Sequence, residues 1–386
     1  MEKNSPGTAT KTAILLIFSL TIALLIAETG LRFARSAGLA PEIFTMLGRA
    51  KPPIDTLDGP GMYYTHQYTA YSLKPGYIRG DFERINSLGF RGAEFDFEKP
   101  AGIYRIVAIG GSTTFGVYLP HTKTYPVYLQ QELNERLRTD KIEVINAGLT
   151  GSTTAESLHR LFPQILPLNP NMVVIYHGYN DIFPRVFSNY QDDYYHFRRA
   201  DPNNPPGLTR FLVYRIILRA LNPVAFHENY NLASIVWQTK NLPDSDTERT
   251  ENFFNSDTNA FEANLANMIT VLQANDVQPV LATFAISKDI AHWNDHIPAF
   301  LWEEGIRQHN DVIRKLAKEY SVPLVPFAER GDNLLIANNY DDPEGCCYED
   351  SIHMTPVGNQ IKARFFADVI APLVTSAGAG TESATQ

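Results

Sequence analysis

Short apolar runs alternate with helix-like stripes from residue 103 onward. The runs are Ile106–Gly110, Ile142–Ala147, Met172–Tyr176, Val280–Phe284 and Val322–Val325. Between them apolar residues recur every three or four positions, as at Leu129, Leu133 and Leu137, which is the pattern of a helix with one buried face. Strands that alternate with helices in this way predict a doubly wound α/β fold, with about five parallel strands and helices on both faces. Ligands of such sheets bind beyond the C-terminal ends of the strands.

Composition excludes several other classes of protein. Of the 386 residues, 44% are hydrophobic and 19% are charged, which suits a chain with a substantial core rather than a disordered one. The net charge of −9 disfavours broad nucleic-acid binding, because phosphate neutralisation needs clustered Lys and Arg. The two cysteines, Cys346 and Cys347, are too few for a disulfide scaffold or a Cys-ligated zinc ribbon.

The N-terminus contains a run without charges, Thr12–Ala27, that follows Lys3 and Lys11. We predict that residues 1–35 form a cytoplasmic stub and a single-pass transmembrane signal anchor, with Leu31 and Phe33 extending the apolar helix past Glu28. This orientation places the catalytic part outside the cytoplasm, in the periplasm or at the cell surface. A cleaved signal peptide and a buried helix of a soluble domain are the alternatives.

The rest of the chain divides by composition. Residues 36–99 are predicted to be a juxtamembrane linker with one or two small β-hairpins, and residues 100–372 a catalytic domain. An insertion at about 183–257 interrupts that domain, and the small, polar tail 373–386 is predicted to be disordered. The insertion contains the helical segment FLVYRIILRAL. We interpret it as a helix packed on the domain, with a lid over the active site or an interfacial membrane helix as alternatives.

Four loops carry residues suited to acyl chemistry. Gly110–Gly116 contains Ser112, Asn146–Gly151 contains Gly148, His177–Asp181 contains Asn180, and Asp350–His353 pairs a carboxylate with a histidine three residues later. Together they supply a nucleophile, a base, an acid to orient it and oxyanion donors. A phosphate-binding loop is the rival for the serine loop, but the Gly-Lys-Ser/Thr ending is missing. The nucleophile elbow of α/β-hydrolases requires glycine where Thr114 stands.

These four motifs, in this order, resemble those of the SGNH (GDSL-like) hydrolases, and the resemblance covers roughly residues 100–372 outside the insertion. It implies a flavodoxin-like sheet and a Ser-His-Asp triad of Ser112, His353 and Asp350. It also implies an oxyanion hole made of the backbone N–H groups of Ser112 and Gly148 and the side chain of Asn180, with no cofactor or metal. Gly111 stands where the family most often has Asp, a variant found in membrane-anchored bacterial members.

The function predicted from these residues is a serine esterase that cleaves carboxylic esters of an extracytoplasmic lipid or glycan. The expected partners are that small-molecule, lipid or glycan ester and, through the N-terminal helix, a membrane, but no nucleic acid. One alternative is an O-acyltransferase that uses the same triad on a cell-envelope or secreted polysaccharide. The other is a non-catalytic glycan-binding or assembly protein.

Three further features are weaker candidates. His292 and His296 have the spacing of metal ligands on a helix, but no third ligand is evident in the sequence. His177 is interpreted as structural. Cys346 and Cys347 are expected to be thiols or to pair with another chain, with a strained vicinal disulfide as the alternative.

Overall fold

The computed structural model describes residues 6–39, 62–66, 69–80, 82–194, 196–197, 211–221, 242–287, 297–329 and 347–381. The chain forms two compact units. One is drawn from residues 1–56 and 200–235, and the other from residues 57–199 and 236–386.

The larger unit is built on a five-stranded parallel sheet, which confirms the predicted fold class. Its strands are β5 (Tyr104–Gly110), β6 (Ile142–Gly148), β7 (Met172–Tyr176), β8 (Gln278–Ala282) and β9 (Leu324–Val325). Their order in the sheet is β6-β5-β7-β8-β9, with every neighbouring pair parallel. The chain passes from β5 to β6 on one side and then to β7 on the other side of β5, so the strand order reverses between β5 and β7. Doubly wound sheets bind ligands at such a reversal.

Helices follow the strands in the alternation that the sequence predicts. They are α2 (Ser112–Phe115), α3 (Tyr125–Leu137), α4 (Thr154–Arg160), α6 (Asp246–Asn255), α7 (Asn259–Gln273), α8 (Ala299–Glu319) and α9 (Pro356–Thr381). A further helix, α5 (Leu212–Leu221), belongs to the smaller unit. Short 3₁₀ turns cover His121–Lys123, Leu166–Leu168 and Phe183–Val186, and a π-turn covers Leu161–Ile165.

The core lies on both faces of the sheet because successive strand residues point to opposite sides. On one face, Ile106 and Ala108 belong to a cluster that includes Leu129 of α3 and Phe366 of α9. On the other face, Val107 and Ile109 pack with residues of α7 and α8. The strands are consequently almost continuously apolar, as expected for a sheet buried on both sides.

Local signals explain where two of these helices begin. Pro126 lies in the first turn of α3, where its missing N–H costs nothing. Thr153 and Glu156 form a capping box at the start of α4, because each side chain binds the other residue's backbone N–H. α4 therefore starts at a fixed position just after β6.

Two small antiparallel hairpins precede the sheet. β1 (Tyr63–His66) pairs with β2 (Ala70–Leu73), and β3 (Ile78–Arg79) pairs with β4 (Glu83–Arg84). These hairpin residues belong to the same compact unit as the sheet.

The smaller unit contains α1 (Pro6–Ser36) and α5 (Leu212–Leu221). Within α1, Thr10–Ala34 is long and apolar enough to cross a membrane, and nearly all of its side chains are exposed. This stretch extends further in both directions than the charge-free run Thr12–Ala27.

Two predicted boundaries differ from the structure. β8 ends at Ala282 rather than Phe284, because the N–H of Phe284 donates to the Asn310 side chain instead of to a neighbouring strand. The predicted disordered tail also starts too early, since α9 continues to Thr381. Leu373 and Val374 extend the apolar stripe of α9 onto the core and so prolong the helix.

Candidate active site

Three of the four motif loops begin at one edge of the sheet. Gly110, the last residue of β5, is in register with Gly148 at the end of β6 and with Tyr176 at the end of β7. The loops that carry Ser112, Asn180 and the segment after Gly148 therefore start side by side. The fourth loop, before α9, brings His353 to the same edge, where it contacts Ser112.

Ser112, His353 and Asp350 form a continuous chain of hydrogen bonds. The Ser112 Oγ lies 2.7 Å from His353 Nε2, and His353 Nδ1 lies 2.6 Å from Asp350 Oδ2. Because a carboxylate only accepts hydrogen bonds, Nδ1 carries the proton toward Asp350, and Nε2 is left to accept the proton of Ser112. All three side chains lie largely out of solvent.

The electrostatics of Asp350 suit that arrangement. Burial raises the pKa of its carboxyl, but the hydrogen bond and charge of His353 oppose this, together with the backbone N–H groups of His353 and Ile352. The net result is a pKa below the ordinary value. Asp350 is therefore ionised at neutral pH and able to orient a histidine.

Asn180 lies next to the serine loop. Its Nδ2 donates to the carbonyl of Ser152 at 2.8 Å, which leaves a second N–H on the same nitrogen. A Cβ on Gly111 would lie 2.5 Å from this Nδ2. Residue 111 therefore has room for glycine only while Asn180 keeps this position.

The structure does not bring Gly148 to this group as a donor. Its N–H donates to the Asn146 side chain at 3.0 Å, and its Cα packs against the backbone of Phe115. The next glycine, Gly151, lies in a turn closed by the Ser152 N–H and the Leu149 carbonyl, with a φ of 72° that glycine tolerates best. Gly151 is thus adjacent to the residue that Asn180 contacts.

Buried polar contacts of Asp181 hold the Asn180 loop. Asp181 accepts from the backbone N–H and the hydroxyl of Thr154 and from the hydroxyl of Tyr194. Burial raises the pKa of Asp181 to about 7, although these hydrogen bonds oppose the shift. Asp181 thereby joins the loop that carries Asn180 to the start of α4.

Two buried histidines support the same loop. His309 Nδ1 lies 2.6 Å from the Gly178 carbonyl, and the ring stacks on Phe261. His177 Nε2 lies 2.7 Å from Ser157 Oγ. Burial lowers the pKa of each histidine to about 3, so both are neutral. His309 comes from α8, far away in sequence, and no local motif identifies it.

The N-terminal hairpin region braces two of the site loops. The Tyr71 hydroxyl donates to the carbonyl of Thr150 at 2.7 Å. Arg91 donates to the carbonyl of Phe115, the last residue of the serine helix α2, and to that of Leu119. Residues outside the four motifs therefore fix the loops that the motifs occupy.

A small pocket opens beside Ser112. It has a volume of about 10 Å³, enough for roughly one water molecule. Its lining residues are Gly111, Ser112, Thr113, Tyr176, His177, Gly178, Tyr179, Asn180, Phe284 and Ile352.

Tyr118 lies beside His353, with ring centroids 5.5 Å apart, and 64% of its surface is exposed. Its φ of 68° is unusual for a bulky residue.

Of the two cysteines and the pair His292 and His296, the structure describes Cys347 alone. Cys347 is a buried thiol, whereas Cys346, His292 and His296 lie outside the described residues. Within the part of the chain that the structure describes, no three His, Cys, Asp or Glu side chains are close enough together to hold a metal ion.

Comparison with solved structures finds several hydrolases that align with this chain over most of their length. An acetyl xylan esterase is 20% identical, with a TM-score of 0.41, and the alignment covers 68% of this chain and 98% of that one. A lipase/acylhydrolase from Enterococcus faecalis is 16% identical, with a TM-score of 0.41 and coverage of 70% and 96%. A GDSL-like lipase from Bacteroides thetaiotaomicron is 15% identical, with a TM-score of 0.38 and coverage of 71% and 89%.

No curated protein sequence matches the chain significantly. The family model of the GDSL-like Lipase/Acylhydrolase family, in contrast, matches residues 108–361, which is well over half of the chain. That range includes Ser112, Asn180, Asp350 and His353. The chain therefore belongs to the GDSL-like lipase/acylhydrolase family and is a carboxylic ester hydrolase.

Proposed function

We propose that the protein is a serine esterase in which Ser112, His353 and Asp350 act as the catalytic triad. The observation that carries this proposal is the hydrogen-bond chain from Ser112 Oγ through both nitrogens of His353 to Asp350. A hydroxyl 2.7 Å from an imidazole nitrogen, with a carboxylate on the other nitrogen, is the arrangement that activates a serine.

The reaction proceeds in two balanced halves. Ser112 Oγ attacks the ester carbonyl while His353 Nε2 takes its proton, and the imidazolium then gives that proton to the leaving alcohol. This leaves the acyl group on Ser112. In the second half, water attacks the acyl-enzyme, His353 takes a proton from the water, and Ser112 regains it as the carboxylic acid departs.

The negative charge on the tetrahedral intermediate requires donors on the side opposite His353. We assign this role to the Ser112 backbone N–H and the second N–H of Asn180. The backbone N–H of Gly148, which the family resemblance implies as a third donor, is bonded to the Asn146 side chain instead. Removing one such donor typically slows the chemical step by about 10²–10³.

The pocket beside Ser112 favours a short acyl group. A volume of about 10 Å³ accommodates a group of the size of a methyl, and Tyr179 and Phe284 border it. The acyl side of the substrate is therefore proposed to be acetyl or similarly small. The alcohol lies on the side of His353, where exposed Tyr118 offers an aromatic surface to a sugar ring or a lipid headgroup.

We further propose that α1 is retained as a membrane anchor and that the catalytic unit lies outside the cytoplasm. Lys3 and Lys11 precede the apolar helix, and positive residues favour the cytoplasmic side. A cytoplasmic N-terminus places everything after α1 on the far side of the membrane. The substrate is then an ester of an extracytoplasmic lipid or glycan.

An ester panel tests the proposed reaction. The full chain in detergent is assayed with p-nitrophenyl acetate, butyrate and octanoate, alone and with a sugar acceptor. Acetate is expected to be the best substrate, and Ser112→Ala to lose nearly all activity, while Ser188→Ala on the surface keeps it. Full activity of Ser112→Ala would contradict the mechanism, and a preference for octanoate would contradict the short acyl group. Acylated sugar formed at the expense of free acid would assign O-acyl transfer instead.

A further inference from the structure

A carboxylate in the apolar helix α1 has an unusual environment. Glu28 is only 8% exposed, whereas the apolar side chains before it, from Ile14 to Ile26, are 41–68% exposed. Its Oε1 lies 2.7 Å from Arg32 Nε, and its Oε2 accepts the backbone N–H of Val213 at 3.0 Å. Val213 is in the first turn of α5, so the carboxylate binds the positive end of that helix.

The position of Glu28 along α1 determines how deep the contact with α5 lies in a membrane that α1 crosses. The charge-free run Thr12–Ala27 ends one residue before Glu28. At 1.5 Å per residue, a helix of that length spans about 24 Å, close to the hydrocarbon thickness of a bilayer of about 30 Å. If α1 crosses a membrane, Glu28 and the start of α5 therefore lie at the boundary between acyl chains and headgroups.

Two apolar side chains of α5 are exposed. Leu212 is buried, but Ile216 and Ile217 are 38% and 45% exposed. The sequence of α5 also contains Arg215 and Arg219, four residues apart, among otherwise apolar neighbours. A short helix that combines apolar residues with arginines is typical of segments that lie in the plane of a membrane interface.

We propose that α5 is an interfacial membrane helix, held by Glu28 against the anchor and inserted through Ile216 and Ile217 into the bilayer that α1 spans. This proposal rests on the retained anchor proposed above. The lipid surface is the partner that fits because α5 contacts α1 near the C-terminal end of the apolar, exposed stretch Thr10–Ala34, so the same bilayer covers both helices. The insertion then adds a second attachment to the membrane beyond α1.

Fluorescence quenching in vesicles tests the position of α5. The full chain, with Cys346→Ser and Cys347→Ala, is reconstituted in vesicles of phosphatidylcholine and phosphatidylglycerol and labelled with an environment-sensitive dye at Ile217→Cys. The dye is expected to emit at shorter wavelength and to be quenched by lipid-borne doxyl groups but not by aqueous iodide. Hydrolysis of p-nitrophenyl acetate by each labelled variant checks the fold.

Two further label positions separate the possible failures. A label at Leu25→Cys in α1 is expected to be quenched from the lipid, and one at Phe254→Cys, which is exposed on α6, from the water. If the label at residue 25 reports lipid and the one at residue 217 reports water, the interfacial helix is wrong but the anchor stands. If both report water, the anchor itself is wrong. If the wild-type protein does not hydrolyse p-nitrophenyl acetate, the proposed reaction is wrong, whatever the labels report.

The role of Glu28 has its own variant. Glu28→Leu keeps α1 apolar but removes the acceptor for the Val213 N–H. We expect lipid quenching at residue 217 to decrease and quenching at residue 25 to stay unchanged. Unchanged quenching at residue 217 would show that Glu28 does not hold α5.

Discussion

Asp350 uses its two oxygens for different purposes. Oδ2 accepts from His353 Nδ1, and Oδ1 accepts the backbone N–H groups of Ile352 and His353. The second set of bonds shapes the loop, and the first fixes the tautomer of the imidazole. A substitution that keeps one set and changes the other separates the structural and catalytic roles of this side chain.

Asp350→Asn is such a substitution. Its carbonyl oxygen still accepts the backbone N–H groups, but its amide donates to His353 Nδ1 and leaves the proton on Nε2, where it opposes Ser112. We expect kcat for p-nitrophenyl acetate to fall roughly 10⁴-fold, with a melting temperature close to that of wild type. A kcat near wild type would show that His353 does not depend on Asp350.

Gly111 offers a test of a different kind, because the family most often has Asp at this position. A Cβ at residue 111 displaces only the amide end of Asn180, which is the far end of a flexible side chain. Gly111→Ala is therefore expected to cost little stability but to lower kcat by about 10²-fold through loss of an oxyanion donor.

Thermal unfolding and steady-state kinetics measured together check this prediction. Gly30→Ala is the control, because residue 30 lies outside the site with open space around it and, like Gly111, without a positive φ. If Gly111→Ala retains wild-type kcat, Asn180 does not act as a donor from its present position.

Ser112, Asn180, Asp350 and His353 were predictable because each lies in a short local pattern. Gly148 shows the limit of that approach. A glycine after a strand has an unhindered N–H in the sequence, but the folded chain gives this N–H to the side chain of Asn146 two residues earlier.

Helix α9 contains a buried lysine. Lys362 Nζ lies 3.4 Å from the centre of the Tyr176 ring and 4.0 Å from that of Tyr125. Burial lowers its pKa well below 10.5. Between the folded pKa and the unfolded value the unfolded chain binds more protons, so the lysine reduces stability as the pH falls through that range.

Lys362→Met removes this penalty. We expect the free energy of unfolding at pH 7 to rise by on the order of 1 kcal/mol, because the lost ring contacts offset part of the gain. The difference from wild type should shrink as the pH approaches 10.5. Chemical denaturation across this pH range measures it, and exposed Lys318→Met serves as the unaffected control. A less stable Lys362→Met at pH 7 would mean that the charged amine stabilises the aromatic cluster.

At the level of helices and strands, periodicity predicted which elements exist, but tertiary contacts decide where they end. The apolar residues around Phe284 predict that it belongs to the strand. The strand ends earlier because the Phe284 N–H donates to the side-chain oxygen of Asn310 on α8. His309, the neighbour of Asn310, also holds the Gly178 carbonyl. Contacts between residues so far apart in sequence cannot be inferred from local patterns.

Over the whole molecule, the family match begins at residue 108, yet part of the active-site architecture precedes it. Arg91 and Tyr71 brace the serine loop and the turn before Ser152. The insertion is likewise shared between the units, since α5 belongs with α1 and α6 with the sheet. The composition of residues 36–99 and 183–257 indicates segments that are additional to the catalytic domain. It does not indicate which loops they contact or to which unit they belong.

Covalent labelling tests the central claim, that Ser112 is the activated nucleophile, most directly. The full chain in detergent is treated with a fluorophosphonate, digested and analysed by mass spectrometry, with His353→Ala treated in parallel. The adduct is expected on Ser112 and on no other serine, and it is expected to be lost in His353→Ala, because the imidazole must take the proton. Ester hydrolysis without any adduct on Ser112, or an adduct on a different serine, would contradict the account.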